Sequence, residues 1–221
     1  MTSQVILYTA PLSMFAMKVE IALREKAVPF QRISVPYDGQ SGYVPKHPEV
    51  LRVNPKAQVP VLLHGAAELF DSTQIMEYIE DTWPTPPLWP STPVEKAMAR
   101  QTELFADEIY FPHVVKLFDL QDDLGSTAAR TAISALQRHN AALDARLADR
   151  AFLCGAFSFA DIAFFMAQLF AERMSVPMTT DTPRLLKWRA SITQRPSIAP
   201  TLAPMIAFLQ AAGRFVPGHI R

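Results

Sequence analysis

The chain has 221 residues, 49% of them hydrophobic, and its 21 basic and 21 acidic side chains cancel to a net charge of zero. That length carries one large or two small domains whose core needs no metal or disulfide staple, and balanced charge without like-sign blocks leaves no footprint for nucleic acid or anionic lipid. The most apolar run, Asp161 to Arg173, is cut by Gln168 and falls short of the roughly 18 residues of a membrane span; with no basic, apolar leader and only Cys154, the chain reads as cytoplasmic.

In chain order, short strand-like runs alternate with helical patterns up to residue 83: VILY at 5 to 8, a helix near 14 to 27, FQRISV at 30 to 35, VPVLL at 59 to 63, ELF at 68 to 70 and a helix near 72 to 82. This alternation predicts a small α/β domain over 1–83. In its first helix Phe15, Val19, Ala22 and Leu23 share one buried face, leaving Lys18, Arg24 and Glu25 for solvent. Five prolines then fall within 84–93, where missing amide donors and restricted preceding residues dictate an extended linker. Beyond it strand signals vanish. Helical patterns run over 94–118, 127–149, 159–174, 183–194 and 201–211, predicting an all-α bundle over 94–221, with Pro112 kinking the first helix or shifting its hydrogen bonding near Tyr110 and His113.

Three stretches carry candidate chemistry. In YTAPLSMFAMKVEIAL, Ser13 stands at a helix start, where it is either an N-cap or a hydroxyl donor to a bound thiolate. Ala16 at the third helical position offers no reciprocal capping box, and the two roles compete for one hydroxyl. In NPKAQVPV, Pro60 interrupts a strand, as an edge residue or after a cis bond that turns the Val59 backbone toward an extended ligand. In ELFDSTQ, Asp71 and Ser72 sit where strand becomes helix, either as a cap or as a matched pair for an α-amino acid head, Ser72 and the free amides for its carboxylate and Asp71 for its ammonium.

These segments, with FLCGAFSFADIAF, occur in an order and spacing that resemble the cytosolic glutathione transferase superfamily over roughly residues 4 to 210. The resemblance implies a thioredoxin-like N-terminal domain, a helical C-terminal domain, a homodimer, and glutathione as co-substrate for conjugation to electrophilic small molecules. It also implies roles: Ser13 as thiolate donor of the serine-type classes, with Tyr8 as the alternative; Gln58, Val59 and cis Pro60 along the tripeptide; Asp71 and Ser72 at the γ-glutamyl head. Asp71 stands where a Glu is more usual, which shortens its reach. Lys46 or His47 could pair with the glycine carboxylate. Met14, Tyr110, His113, Phe208 and Phe215 are candidates for the electrophile wall, and plain core packing is the competing reading for each.

Other signals read as structural. Ser158 and Asp161 have the spacing of a capping box ahead of a buried helix. Cys154 reads as a small buried hydrophobe, and the histidines at 47, 64, 113, 139 and 219 lack metal-ligand spacing. Two function classes remain: a glutathione-dependent enzyme, whether transferase, isomerase, dehalogenase or peroxidase, and an inert interaction module on the same fold.

Overall fold

The structure, a computed structural model, describes residues 3–38 and 42–220. Its first half runs β1 (Val5–Thr9), α1 (Met14–Glu25), β2 (Phe30–Ser34), α2 (Pro48–Val53), β3 (Val61–His64), β4 (Ala67–Phe70) and α3 (Ser72–Thr82). The strands form one sheet in the order β2-β1-β3-β4, with β1 parallel to β2 and antiparallel to β3, and β3 antiparallel to β4. Period-2 alternation sorts the faces: Val5, Leu7 and Leu62 join the main core with α1 and α3, whereas Tyr8, Val61 and Val50 of α2 form a second cluster behind the sheet. This is the thioredoxin-like arrangement.

Helix α2 has no counterpart in the sequence reading. Its six residues are too few for a periodic stripe, yet Pro48 opens the helix and His47 Nδ1 caps it, accepting the Glu49 amide at 3.2 Å.

The second half is helical: α4 (Pro93–Leu104), a π turn (Phe105–Tyr110), α5 (Phe111–Asp119), α6 (Thr127–Leu147), α7 (Phe159–Arg173), α8 (Pro183–Thr193), α9 (Ile198–Ala211) and a closing 3₁₀ turn (Gly218–Ile220). Helix α7 is buried on nearly every side and packs against α1, α4 and α5, as its apolar circumference requires. Asp161 starts it by accepting from the Leu153 amide (2.9 Å), the Ser158 amide (3.0 Å), the Ser158 hydroxyl (3.1 Å) and Trp188 Nε1 (2.8 Å). Between α3 and α4, residues 83–92 form neither helix nor strand. They are pinned by Lys26, which donates to the carbonyls of Trp83 and Pro86 at 2.7 Å, and by buried Leu88 and Trp89.

Two expectations are corrected. The single helix expected over 94–118 is α4, the π turn and α5, with the shift in hydrogen bonding expected at Pro112: Pro112 has no amide to give to Glu108, and the chain is wound five residues back there, Phe111 N–H bonding Ala106 O. Lys18, expected in solvent, is fully buried between the two halves, 2.8 Å from Glu103 and 2.5 Å from Asp107. The helical stripe identified the apolar face of α1 but not the acids that a distant helix brings to its side.

Candidate functional site

Two cavities meet at the loop before β3, and Phe15, Gln58 and Val59 line both. The polar one, about 380 Å³, lies between the start of α3 and the α4–π-turn rod. The other, about 240 Å³ and mostly apolar, lies between the β1–α1 turn, residues 43–50 and the start of α5.

At the polar end Asp71 holds φ at +72°, a conformation that Asp tolerates better than most residues. Its Oδ1 accepts the amides of Thr73 (3.1 Å) and Gln74 (3.2 Å), so the cap occupies one carboxylate oxygen and leaves Oδ2 outside it. Ser72 follows as the first helical residue, buried to 3% exposure. Cap and ligand site are therefore compatible at this junction: the helix supplies positive field and amides beside a negative carboxylate. Asn54 shapes the loop between, donating to the Gln58 carbonyl at 2.6 Å and accepting the Lys56 amide at 2.9 Å. The Val59–Pro60 bond is cis, and the β3–β4 ladder begins only at Val61 opposite Phe70, so the Val59 backbone lies outside the ladder.

At the apolar end Ser13 caps α1, its Oγ accepting the Ala16 amide at 3.2 Å. A hydroxyl has one proton and two lone pairs, so accepting that amide leaves its O–H free to donate. The expected competition between cap and donor does not arise. Met14 lines this cavity, as do Lys46 and His47.

Other residues fall elsewhere. Tyr8 is buried behind the sheet, its ring 4.8 Å from His47, and lines neither cavity; burial is the main cause raising its phenol pKa. Tyr110 is also off the cleft: it is fully buried, its hydroxyl donates to Asn140 at 3.0 Å, and burial pushes the phenol up. His113 faces His139 across 5.8 Å and lines neither cavity. The residue that reaches the apolar cavity from this segment is Phe111, edge-on to Phe15 at 5.4 Å. Projecting one α-helix through the π turn misplaces a side chain by up to about 100°. Phe208 rests edge-on against Tyr37 at 5.4 Å, and Phe215 is 56% exposed.

The second half contributes an acidic wall that local pattern did not reveal. Glu103 and Asp107 line the polar cavity above Lys18, and Thr73 Oγ1 donates to Glu103 at 2.8 Å. Burial is the main cause that pushes the Asp107 carboxyl up to about 7; the Lys18 charge opposes it and Glu103 reinforces it. Cys154 is half-buried, with its thiol raised chiefly by burial, and no group able to hold a metal ion occurs among the described residues. None of the helices among them is long and apolar enough to cross a membrane.

A thioredoxin-like sheet, an N-terminal hydroxyl beside a cis-proline loop and a helical second half define a thiol-handling class of protein. The chain belongs to the cytosolic glutathione transferase superfamily: the family model "Glutathione S-transferase, N-terminal domain" matches residues 7–87 and "Glutathione S-transferase, C-terminal domain" matches 123–196. It is 30% identical to glutathione S-transferase U17 of Arabidopsis thaliana, across 98% of this chain and 97% of that one. It is also 30% identical to the probable glutathione S-transferase parC of Nicotiana tabacum, across 86% and 85%. Among solved structures, a glutathione S-transferase from Rhodospirillum rubrum superposes with a TM-score of 0.82 over 98% of both chains at 23% identity, and the Tau class enzyme of mango with 0.81 over 95% and 97% at 22%.

Proposed function

We propose that this glutathione transferase conjugates glutathione to electrophilic small molecules in the paired cleft, with the tripeptide lying from Asp71 to Ser13. The observation that carries the reading is the continuity of the two cavities across Gln58 and Val59, with a capped helix start at each end. Asp71 Oδ2 and Ser72 take the γ-glutamyl ammonium and carboxylate, the Val59 backbone pairs with the middle of the peptide, and the thiol reaches Ser13. Lys46, on the wall of the apolar cavity, is the stronger candidate for the glycine carboxylate, because His47 Nδ1 is already an acceptor for the α2 cap.

The chemistry follows from the thiol. A free thiol with a pKa near 8.5 is mostly protonated at neutral pH; the Ser13 O–H and the amides opening α1 both favour the thiolate, which then attacks the electrophile. Ser13 remains unchanged. Tyr8 is the weaker candidate for this task, since its ring belongs to the cluster behind the sheet. Exposed Val94, Met98 and Leu104 along α4 support a homodimer through that face, and the reading places the enzyme in the cytoplasm.

The test is an ultraviolet difference spectrum of the thiolate band while glutathione is titrated at neutral pH. A saturable band in the native protein that Ser13→Ala abolishes supports the mechanism. Retention of the band in Ser13→Ala removes Ser13 and promotes Tyr8, and absence of binding by calorimetry favours an interaction module.

A further inference from the structure

We infer that Glu103 and Asp107 are a proton-linked counter-charge for the γ-glutamyl head: the pair holds one proton in the free protein and releases it when the α-ammonium of the ligand enters the polar cavity. The inference rests on the transferase reading above and deepens it, restricting the site to γ-glutamyl compounds with a free amino group.

The pair is one positive charge short. Lys18, fully buried, serves both carboxylates, bonding Glu103 Oε1 at 2.8 Å and Asp107 Oδ2 at 2.5 Å. Glu103 Oε1 also accepts the Thr73 hydroxyl, whereas Asp107 Oδ1 has no hydrogen-bond partner among the described residues, although Asp107 is only 9% exposed. Glu20, also buried, shows the opposite ratio, with two guanidiniums, Arg24 and Arg32, on one carboxylate. Two buried carboxylates that share one ammonium are unfavourable when both are ionised, and a proton makes up the deficit until a cation arrives. Burial pushes Asp107 up to about 7 against the Lys18 charge, and Glu103 adds to the push. Burial also opposes the Lys18 charge, but Asp107 and Glu103 outweigh it and raise the Lys18 pKa, so the proton that leaves is the carboxyl's.

Both acids stand on the wall of the cavity that also holds Asp71 and Ser72. The other charged side chains on that wall are Asp71, Glu108 and Lys56. Asp71, Glu103, Asp107 and Glu108 against Lys18 and Lys56 leave an excess of two negative charges when all are ionised, and of one when Asp107 is protonated. The amides that open α3 take the α-carboxylate of the head, which turns its α-ammonium toward the acids. An ammonium within about 6 Å of a carboxyl lowers its affinity for a proton about 100-fold at an effective dielectric constant of about 20. Ionised Asp107 therefore binds the head more tightly, and affinity rises as pH climbs through the value at which the free carboxyl titrates.

The probe is S-methylglutathione, which has no thiol proton to lose. Titrated by calorimetry at pH 7 in buffers of differing ionisation enthalpy, it should release about half a proton per site from the native protein, and it should bind about tenfold more tightly at pH 8 than at pH 6. Asp107→Asn keeps the shape of the protonated carboxyl; it should release none, lose the pH dependence and bind at pH 8 as weakly as the native protein does at pH 6. Glutaryl-S-methylcysteinylglycine, which lacks only the ammonium, should release no proton from the native protein. His47, on the wall of the neighbouring cavity, would answer a glycine carboxylate by taking a proton up, so its contribution has the opposite sign.

Binding of S-methylglutathione without proton release would overturn the inference and leave the transferase reading standing, as would a release undiminished in Asp107→Asn or with the glutaryl analogue. No binding of S-methylglutathione at any pH would remove both. If Asp107→Asn does not fold, the native proton count and its loss with the glutaryl analogue decide.

Discussion

Ser13 and Ser158 both stand at the start of a buried helix, and they differ in where the hydroxyl proton goes. Ser158 donates to Asp161 at 3.1 Å, and that carboxylate also takes its amide, so the capping box closes on itself. Ser13 has Ala16 where Ser158 has Asp161; it accepts an amide at 3.2 Å, and the cap leaves its proton unspent. One serine is sealed into the fold, and the other retains a donor at the wall of a cavity. An incomplete capping motif is therefore informative: a missing acid at the third helical position leaves the hydroxyl free for a ligand.

The contrast can be broken at the sealed end first. Asp161→Ala orphans buried donors from Leu153, Ser158 and Trp188 and should cost about 3–5 kcal/mol in urea unfolding. The thiolate band of the protein that remains folded should be unchanged, and a lost band would mean that the two helix starts are coupled. Ser13→Ala is the reverse case: turnover should fall about 100-fold, as on removing one donor to a developing or bound anion, with only about 1 kcal/mol of stability lost from the cap. A stability loss with unaltered turnover would make Ser13 a second Ser158.

At α3, Asp71→Asn keeps a good cap and a residue tolerant of positive φ but removes the charge. Glutathione affinity by calorimetry should drop about tenfold while stability moves by less than about 0.5 kcal/mol. Unchanged affinity would return Asp71 to a purely structural role.

The smallest effect lies at the far end of α1. Burial alone would raise the Glu25 carboxyl, but Arg195, bonding it at 2.8 and 2.6 Å, and the Ser197 hydroxyl at 2.5 Å outweigh burial and hold it below its ordinary value. A lowered folded pKa gives stability that is present above the ordinary carboxylate pKa and is lost as pH falls through the folded value. The gap in urea midpoint between the native protein and Glu25→Gln should therefore be full at pH 6 and shrink as pH drops below about 4.3, with the thiolate band at neutral pH unaffected. A gap independent of pH would mean that the ion pair contributes through packing alone.

Much of this architecture was legible because the signals are local. The alternation of Val5, Leu7 and Tyr8, the prolines after α3, and the Ser158–Asp161 spacing each fix a neighbour within a few residues. The site was legible at its two caps for the same reason. What escaped depends on distance along the chain: Lys18 meets Glu103 and Asp107 from 85 and 89 residues away, and no periodicity in α1 marks it as buried. Phe111 escaped because helical counting assumes a constant winding, which the π turn violates.

That turn also sets the phase between two jobs carried by one rod. Upstream, Glu103 and Asp107 meet Lys18 beside the polar cavity; downstream, Phe111 forms the wall of the apolar one. Regular α winding over 105–110 at unchanged length would swing everything beyond it by about 100°, setting either the acids or the aromatic wall out of frame, whereas deleting one residue together with the turn would keep both in place. Substitutions can retune the electrophile wall, whereas the one extra residue wound into this turn keeps the acids and the wall in frame together.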